Sequence, residues 1–366
     1  MIRKLRISNF KSLRQQTELD LRPLTVIAGA NSSGKSTALQ PLLLLAQTFA
    51  NRVGSDPIIL NGPLLQLGTL SDIRSFGSEM SPITMGVDLK PPHLERQLQF
   101  MLTHDYRRVD NDFQQLKVDF AFDKNDSSIP PDSEGLHPIL SSCNVIASYD
   151  EGTTEVEVVR GPQEPNVKEG ALLWATSHVT RDTALDARRY RVTLDHASAE
   201  SIADDLPAYE ITGCLLRHGL PDQLIVSYNR REKIARGVAM ALTRTNIIER
   251  GRFLRPSARW REYSSFILPP KVSEYLQEAL RDKLPALTLP LSGEAPEKKA
   301  YSVSDWWAAL GALPGREAVS LRTELAAMST SVYEMLSAEL PLIREEEATD
   351  LPRSTATAIA TPYSWF

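Results

Sequence analysis

The sequence feature that most constrains the fold is the run Leu24-Thr-Val-Ile-Ala-Gly-Ala-Asn-Ser-Ser-Gly-Lys-Ser-Thr37. It begins with a short, β-branched and mostly apolar segment, Thr25–Ala28, which predicts a strand buried on both faces of a parallel sheet. A sharp turn at Gly29 follows, and residues 29–36 have the spacing G-x-x-x-x-G-K-S. In this Walker A pattern, successive backbone N–H groups form a concave nest around phosphate oxygens. The sequence therefore predicts a strand, a phosphate loop and a helix.

Each residue type in this loop suits a phosphate ligand. Gly29 and Gly34 permit backbone torsions and a close phosphate approach that a Cβ atom would obstruct. Lys35 supplies a point charge for the β- and γ-phosphates, Ser36 offers a hydroxyl to Mg²⁺, and the helix directs its positive dipole end at the nucleotide. A Gly/Ser-rich turn without a ligand is the alternative, which the flanking strand and helix disfavour. We predict that ATP and Mg²⁺ bind at Gly29, Ala30, Asn31, Ser32, Ser33, Gly34, Lys35, Ser36 and Thr37.

Composition and charge narrow the class of protein. The chain has 366 residues and 42% apolar content, enough for a sizeable core and two or three structural units. Its formal net charge of −5 gives no global attraction to nucleic acid or anionic membranes, so such a contact needs a local patch. Cys143 and Cys214 fit neither a metal-ligand spacing nor a disulfide framework and suit a reduced cytosol. Because residues 41–46 are far too few to cross a bilayer, we expect a cytoplasmic protein without a membrane contact.

The N-terminal motifs resemble one ATPase family. The runs Ile7-Ser-Asn-Phe-Lys-Ser-Leu13 and Leu24–Thr37, with a leucine-rich helix that ends in Ala46-Gln47-Thr48, resemble the start of RecF/SMC-like ABC ATPases. Within these, the chain is most similar to bacterial ATPases grouped with the OLD and PtuA defence proteins. The runs Leu60-Asn-Gly62 and Leu67–Asp72 continue the resemblance, which covers about the first 75 residues.

The resemblance implies a fold and a function. The expected fold is α/β, a P-loop NTPase core like an ABC-ATPase head, with a β-rich insertion followed by a helical region. The expected function is an ATP-controlled switch in anti-phage defence, which forms a head dimer and regulates an effector such as a nuclease. A RecF-like repair or recombination ATPase and a non-hydrolysing ATP-sensing scaffold are the alternatives. By resemblance Gln66 joins Ser36 at the metal, although a single glutamine carries no pattern and therefore favours a solvated loop residue.

The rest of the chain divides by pattern into an ATP-binding lobe at 1–95, a β-rich insertion at 96–229 and a helical region at 230–366. Residues 2–10 alternate and a second alternating run passes through Leu19 and Leu21, which predicts an antiparallel hairpin. Gly, Pro and Ser in residues 53–92 predict loops and short strands. Period-two alternation predicts further strands at Gln97–Leu102, Leu116–Phe122, Asn144–Tyr149, Thr154–Val159, Tyr190–Leu194 and Leu224–Tyr228.

The resemblance implies two catalytic motifs, an acid pair after a buried strand and a serine-glycine signature helix. Two segments of the chain match these motifs in part. Residues 145–151 end in Asp150 and Glu151, but Gly152 and another strand follow at once, which favours a hairpin turn. Residues 291–294, Leu-Ser-Gly-Glu, lack the glycine and glutamine of a signature and favour a proline-flanked loop. The catalytic acid is therefore unknown. Three accounts remain open: a piece of a larger ATPase, a short protein that needs a partner, and a nucleotide binder that does not hydrolyse.

A basic segment lies at 230–261, where ten basic residues stand against two acidic ones. Phe253 and Trp260 lie among its arginines, a mixture that suits phosphate contacts with base stacking. One interpretation is a DNA contact through Arg244, Arg252, Arg255 and Arg259. The alternative is an arginine-rich helix whose charges pair with acidic neighbours such as Asp204, Asp205 or Glu345 to Glu347.

Overall fold

The computed structural model describes residues 1–51, 56–78, 81–90, 114–124, 138–149, 152–161, 181–206, 208–243, 246–247, 254–255, 258–280, 301–311, 315–352, 355–356, 359–360 and 362. The chain is a mixed α/β protein that separates into two compact units. The first comprises Met1–Asp204, Glu210–Ser227 and Glu346–Phe366, and the second comprises Asp205–Tyr209 and Tyr228–Glu345.

The first unit is built on a seven-stranded sheet in the order β2-β1-β3-β4-β5-β6-β7, in which every neighbouring pair is antiparallel. Side chains alternate between a buried and a more accessible face, as expected for a sheet covered on one side. Its strands are β1 (Ile2–Ser8), β2 (Thr17–Asp20), β3 (Ile83–Leu89), β4 (Gln115–Asp123), β5 (Ile139–Tyr149), β6 (Gly152–Arg160) and β7 (Tyr190–Leu194).

Helix α1 (Lys35–Ala50) follows the phosphate loop and buries one face. Its buried positions recur at three- and four-residue intervals and include Leu44, Leu45 and Phe49. The Phe49 ring lies 6.3 Å, centroid to centroid, from the ring of Phe120 on β4. The helix therefore packs against the apolar side of the sheet and carries the phosphate loop at its N-terminal end.

The remaining elements of the first unit are short helices and part of a second sheet. The helices are α2 (Leu70–Ile73), α3 (Arg181–Ala187) and α4 (His196–Asp205). The second sheet has three strands in the order β12-β9-β8, from β8 (Glu210–Arg217), β9 (Leu220–Asn229) and β12 (Arg344–Asp350).

The second unit is mainly helical. Its core is formed by buried Ala, Val, Leu and Trp side chains, and the indole N–H of Trp306 donates to the carbonyl of Leu242 at 3.1 Å. Its elements are α5 (Arg230–Thr243), β10 (Asn246–Ile247), β11 (Leu254–Arg255), a 3-10 helix (Ala258–Tyr263), α6 (Pro270–Ala279), α7 (Val303–Gly311) and α8 (Gly315–Glu339).

Most predicted strands are confirmed, and one is wrong. The hairpin β1–β2 and strands β4 to β7 and β9 lie where the alternation predicts them, while the prediction at 97–102 lies outside the described residues. The predicted strand at Thr25–Ala28 does not form, because no described strand lies beside it to complete a hydrogen-bonded ladder. The predicted boundary at residue 95 falls between β3 and β4, which are neighbours in one sheet, and the three-part division itself stays a prediction.

Candidate phosphate-binding site

The phosphate loop ends in a backbone arrangement that leaves amide groups open at the start of α1. Gly34 caps the helix with φ 86°, and the first helical hydrogen bond runs from the Ala38 N–H to the Gly34 carbonyl at 3.0 Å. Among the described residues, the amides of Lys35, Ser36 and Thr37 donate to no other residue. Three N–H groups therefore point out of the helix N-terminus, an arrangement that suits phosphate oxygens.

The Lys35 side chain closes over the loop that precedes it. Its ammonium group donates to the carbonyl of Gly29 at 2.9 Å and to that of Ala30 at 2.5 Å. Both acceptors are neutral carbonyls, whereas a phosphate is an anion that makes stronger, charge-assisted hydrogen bonds. The lysine is thus held near the mouth of the loop, where a nucleotide can take over its contacts.

Both motif glycines stand where a side chain would collide. A Cβ on Gly29 would lie 2.9 Å from the Ser33 Oγ, and one on Gly34 would lie 3.1 Å from the Ser12 Oγ, at a φ that favours glycine. At Gly34 the positive φ gives the preference for glycine a structural cause, whereas at Gly29 the neighbouring atom is a rotatable hydroxyl and the need for glycine stays a prediction. The Ser12 contact also shows that the turn after β1 lies directly beside the phosphate loop.

That turn is rigidly held, and the sequence pattern assigned it no role. Asn9 and Lys11 adopt positive φ values of 57° and 51°, which non-glycine residues seldom do. The Lys11 N–H donates to the carbonyl of Ile73 at 2.6 Å, and the buried Asn9 amide donates to the carbonyl of Ser81 at 2.6 Å. An asparagine, which tolerates this backbone region, is the one available sequence signal for the turn.

The segment before the loop is exposed. Leu24 and Val26 expose 82% and 79% of their surface, and no backbone hydrogen bond joins Val26, Ile27 or Ala28 to another described residue. The Arg22 N–H donates to the Thr25 hydroxyl at 2.9 Å, and this hydroxyl donates to the Arg22 carbonyl at 3.3 Å. The phosphate loop is therefore supported by α1 and the neighbouring turn, and its leading segment lacks a partner strand among the described residues.

Gln66, the second predicted metal ligand, lies in a tight loop. The loop is closed by Asn61, which pairs with Gly68 through two hydrogen bonds at 2.8 Å and 2.9 Å. Gln47 of α1 contacts the start of this loop, because its side-chain amide donates to the Ile59 carbonyl at 2.5 Å. The Gln66 side chain is exposed and makes no hydrogen bond to a described residue, so its role at a metal stays a prediction.

The basic segment is described only in part. Arg244 and Arg252 lie outside the described residues, and Arg255 and Arg259 are described for their backbones alone, in β11 and the 3-10 helix. At the start of α5, Arg230 pairs with Glu345 at 2.7 Å, while the Lys233 ammonium lies 4.7 Å from the centre of the Tyr228 ring. The ion-pair interpretation therefore holds for Arg230, and the DNA contact stays a prediction.

The hairpin interpretation of the acid pair is favoured by its flanking strands. Tyr149 of β5 pairs with Gly152 of β6 in an antiparallel register, so the two intervening acids connect neighbouring strands; the acids themselves lie outside the described residues, as does 291–294. Within the described ranges no group of three His, Cys, Asp or Glu side chains is placed to hold a metal. Both cysteines are fully buried and unbridged, and burial raises the pKa of each thiol.

Comparison with known proteins identifies the N-terminal part of the chain. Residues 1–142 match the family model described as AAA ATPase domain. No curated protein and no solved structure matches the chain. Within the described part of the chain, no helix is long and apolar enough to cross a membrane. The match fits a RecF/SMC-like AAA ATPase, and the matched residues include the phosphate loop, helix α1 and strands β1 to β4.

Proposed function

We propose that this chain is an ATP-dependent switch whose nucleotide site lies at Gly29–Thr37 and is completed by a second lobe. The observation that carries the proposal is the set of open amides at the start of α1, beside Lys35, within an AAA ATPase domain. ATP would lie with its β- and γ-phosphates against these amides and the Lys35 ammonium. We assign the exposed Ser36 hydroxyl to Mg²⁺ there.

The proposal of a second lobe rests on two unpartnered surfaces. Leu24 and Val26 are exposed, and the backbone groups of residues 26–28 form no backbone hydrogen bond with another residue that the structure describes. On α1, Leu39 and Leu43 expose 44% and 42% of their surface on the side opposite the buried face. An apolar helix face and an unpaired apolar segment on either side of one loop suit a parallel sheet, which is apolar on both faces. Such a lobe would also supply the acid that phosphoryl transfer requires.

A calorimetric titration tests the ATP site. Lys35→Ala should weaken ATP binding by roughly 1–3 kcal/mol, because it removes a charge-assisted hydrogen bond to phosphate. Lys90→Ala, an exposed lysine at the end of β3, is the matched control and should leave the affinity unchanged. Equal ATP affinity of the parent and Lys35→Ala would refute the proposed site.

A phosphate-release assay tests completion by another lobe. The 366 residues alone should turn ATP over very slowly, because the phosphate loop by itself provides too few of the contacts that stabilise the transition state. Turnover at an ordinary ATPase rate that Glu151→Gln abolishes would show that the chain carries its own catalytic acid. Restoration of turnover only by an added polypeptide would support the proposal.

The proposed cellular role is anti-phage defence, in which the ATP-bound head dimer controls a nuclease or another effector. The resemblance to OLD- and PtuA-like ATPases supports this role. Cells that carry the parent gene with its neighbours should resist phage, and the Lys35→Ala variant should lose that resistance. Unchanged resistance of the variant would argue against an ATP-controlled switch in defence.

DNA is a proposed partner of the same switch, through the basic segment. Binding of an oligonucleotide should fall steeply with salt, since each neutralised phosphate releases counterions. Replacement of Arg252, Arg255 and Arg259 with Glu should abolish it. Binding that survives both treatments would place the contact elsewhere.

A further inference from the structure

Phe76 is an aromatic side chain that the fold holds in solvent. It exposes 95% of its surface, more than Leu24 or Val26, whereas the two preceding residues, Arg74 and Ser75, are buried. A single exposed apolar residue is common at protein surfaces and by itself indicates nothing. The position and rigidity of this one are what carry an inference.

The turn that carries Phe76 is fixed at both ends. The Ser78 N–H donates to the Ser75 carbonyl at 3.2 Å, and Gly77 between them has a φ of 74° that glycine adopts without strain. The Ser75 N–H donates to the Asn9 carbonyl at 3.3 Å and the Arg14 guanidinium donates to the Gly77 carbonyl at 3.2 Å. The ring therefore projects from a well-defined support.

The same support reaches the phosphate loop. Asn9 and Arg14, which hold the Phe76 turn, flank the turn whose Ser12 hydroxyl lies against Gly34. Ser12 and Arg14 are two residues apart, which is at most about 7 Å of extended backbone. The turn that carries Phe76 and the first turn of α1 therefore both contact the same short segment, residues 9–14.

One cationic side chain lies at the turn that carries the ring. The Arg14 guanidinium donates to the Gly77 carbonyl, next to Phe76, whereas the Lys11 ammonium lies 5.9 Å from the centre of the Phe10 ring. A guanidinium beside an exposed aromatic ring suits a surface that holds a base and its phosphates together.

We propose that Phe76 is the nucleobase platform of the ATP site, on which the base stacks while the triphosphate lies at Gly29–Thr37. This assignment rests on the proposed function, because it needs a nucleotide in the phosphate loop. Stacking is sequence-tolerant, since every base has a π-face. The ring should therefore add affinity for nucleoside triphosphates in general and none for a triphosphate without a base.

Calorimetric titrations with ATP and with inorganic tripolyphosphate, both with Mg²⁺, test the platform. Phe76→Ala should weaken ATP binding roughly ten-fold and leave tripolyphosphate binding unchanged. Phe76→Trp keeps an aromatic ring at this position and should therefore bind ATP as the parent does. Leu342→Ala, which shortens another apolar side chain that is 70% exposed, is the matched control and should alter neither ligand. Lys35→Ala should weaken the binding of both ATP and tripolyphosphate.

The two ligands separate failure of the platform from failure of the site. ATP affinity that depends on Lys35 but not on Phe76 would overturn the platform and leave the proposed site standing. An equal loss of ATP and tripolyphosphate in Phe76→Ala would also overturn it, because the ring would then act on the loop and not on the base. If the parent chain binds neither ligand, the proposed function and the platform both fall.

Discussion

Strand β1 and the segment at residues 24–28 are separated by residues 9–23 and differ in almost every contact. Leu5 and Ile7 of β1 are fully buried, and the strand has hydrogen-bonded neighbours on both sides, β2 and β3. Leu24 and Val26 are exposed, and Leu24–Ala28 joins no ladder among the described residues. The contrast shows that an apolar, β-branched segment becomes a strand only where another strand meets its hydrogen-bonding groups.

The difference has a consequence for the phosphate loop. On the C-terminal side of the loop, α1 packs against the sheet, and the Ser12 hydroxyl lies against Gly34. On its N-terminal side, residues 24–28 have no neighbouring strand among the described residues. A catalytic phosphate site requires positioned groups on both sides of the reacting phosphate. Half of that support is in place, which agrees with a site that binds ATP and gains catalysis when a second lobe completes it.

Hydrogen exchange should show the largest contrast. The amides of β1 should exchange at least about a thousandfold more slowly than those of residues 25–28, because ladder amides exchange only through costly opening. Mass spectrometry of the exchanged chain measures both segments in one experiment. Comparable protection in the two segments would mean that residues 25–28 have a strand partner in solution, and would break the contrast.

Two leucine-to-alanine variants test the same contrast through the free energy of unfolding. Leu5→Ala in β1 should cost about 2–5 kcal/mol, because it removes a fully buried side chain and leaves a cavity. Leu24→Ala should change the free energy of unfolding by less than about 0.5 kcal/mol in the isolated chain. Urea unfolding followed by circular dichroism measures both. A loss above about 1 kcal/mol for Leu24→Ala would show that this side chain is packed.

The sequence predicted the strands in which apolar and polar residues alternate without interruption. It did not predict β8, and predicted β3 only loosely, because glycines interrupt both and contact residues that are distant in the chain. Strand β3 was predicted only as part of a region of loops and short strands, since Gly86 interrupts it. In the structure, Gly86 lies between Arg6 and Asp119, whose side chains occupy the space above it. Strand β8 was missed for a similar reason, because a Cβ on Gly213 would lie 2.7 Å from the Ala187 carbonyl.

The phosphate loop could be predicted from the sequence alone, because its chemistry depends on residues that are consecutive in the chain, and the binding of ATP there stays a prediction. The surroundings of the loop could not be predicted in this way. The turn at Asn9–Leu13 reaches the loop through contacts with Ile73 and Gly34 that are distant in sequence. The exposed state of the segment 24–28 was also missed, since a β-branched, mostly apolar run indicates a buried strand and does not show whether a partner strand exists.

Gly86 offers a sharper test of how partners stabilise β1. A Cβ at this position would lie 1.9 Å from the Asp119 Oδ1 and 2.9 Å from the Arg6 Nε, and would disrupt their 2.7 Å ion pair. Gly86→Ala should therefore cost roughly 1–3 kcal/mol. Gly152→Ala is the matched control, because nothing lies within 4 Å of its added methyl group. Equal unfolding midpoints for the two variants would show that the Arg6–Asp119 contact does not stabilise the sheet.

The smallest expected effect is at α2, which links the sheet to the turn beside the phosphate loop. Thr69 and Asp72 form a capping box there, and the helix ends at Ile73, whose carbonyl accepts from Lys11. Thr69→Ala should cost about 1 kcal/mol at neutral pH, as for loss of an N-cap. The hydrogen bonds from the Thr69 backbone N–H and hydroxyl lower the pKa of Asp72 from its ordinary 3.8.

Because the folded pKa of Asp72 is depressed, its stabilising contribution is fully present above the ordinary pKa and is lost as the pH falls through the folded value. The unfolding midpoints of the parent and Asp72→Asn should therefore differ at pH 7 and converge as the pH falls below 3.8. Thermal unfolding across this range measures the difference. If the difference persisted at the lowest pH, the cap would act through shape alone. The stabilising effect of the capping box at the start of α2 would then be independent of the Asp72 charge.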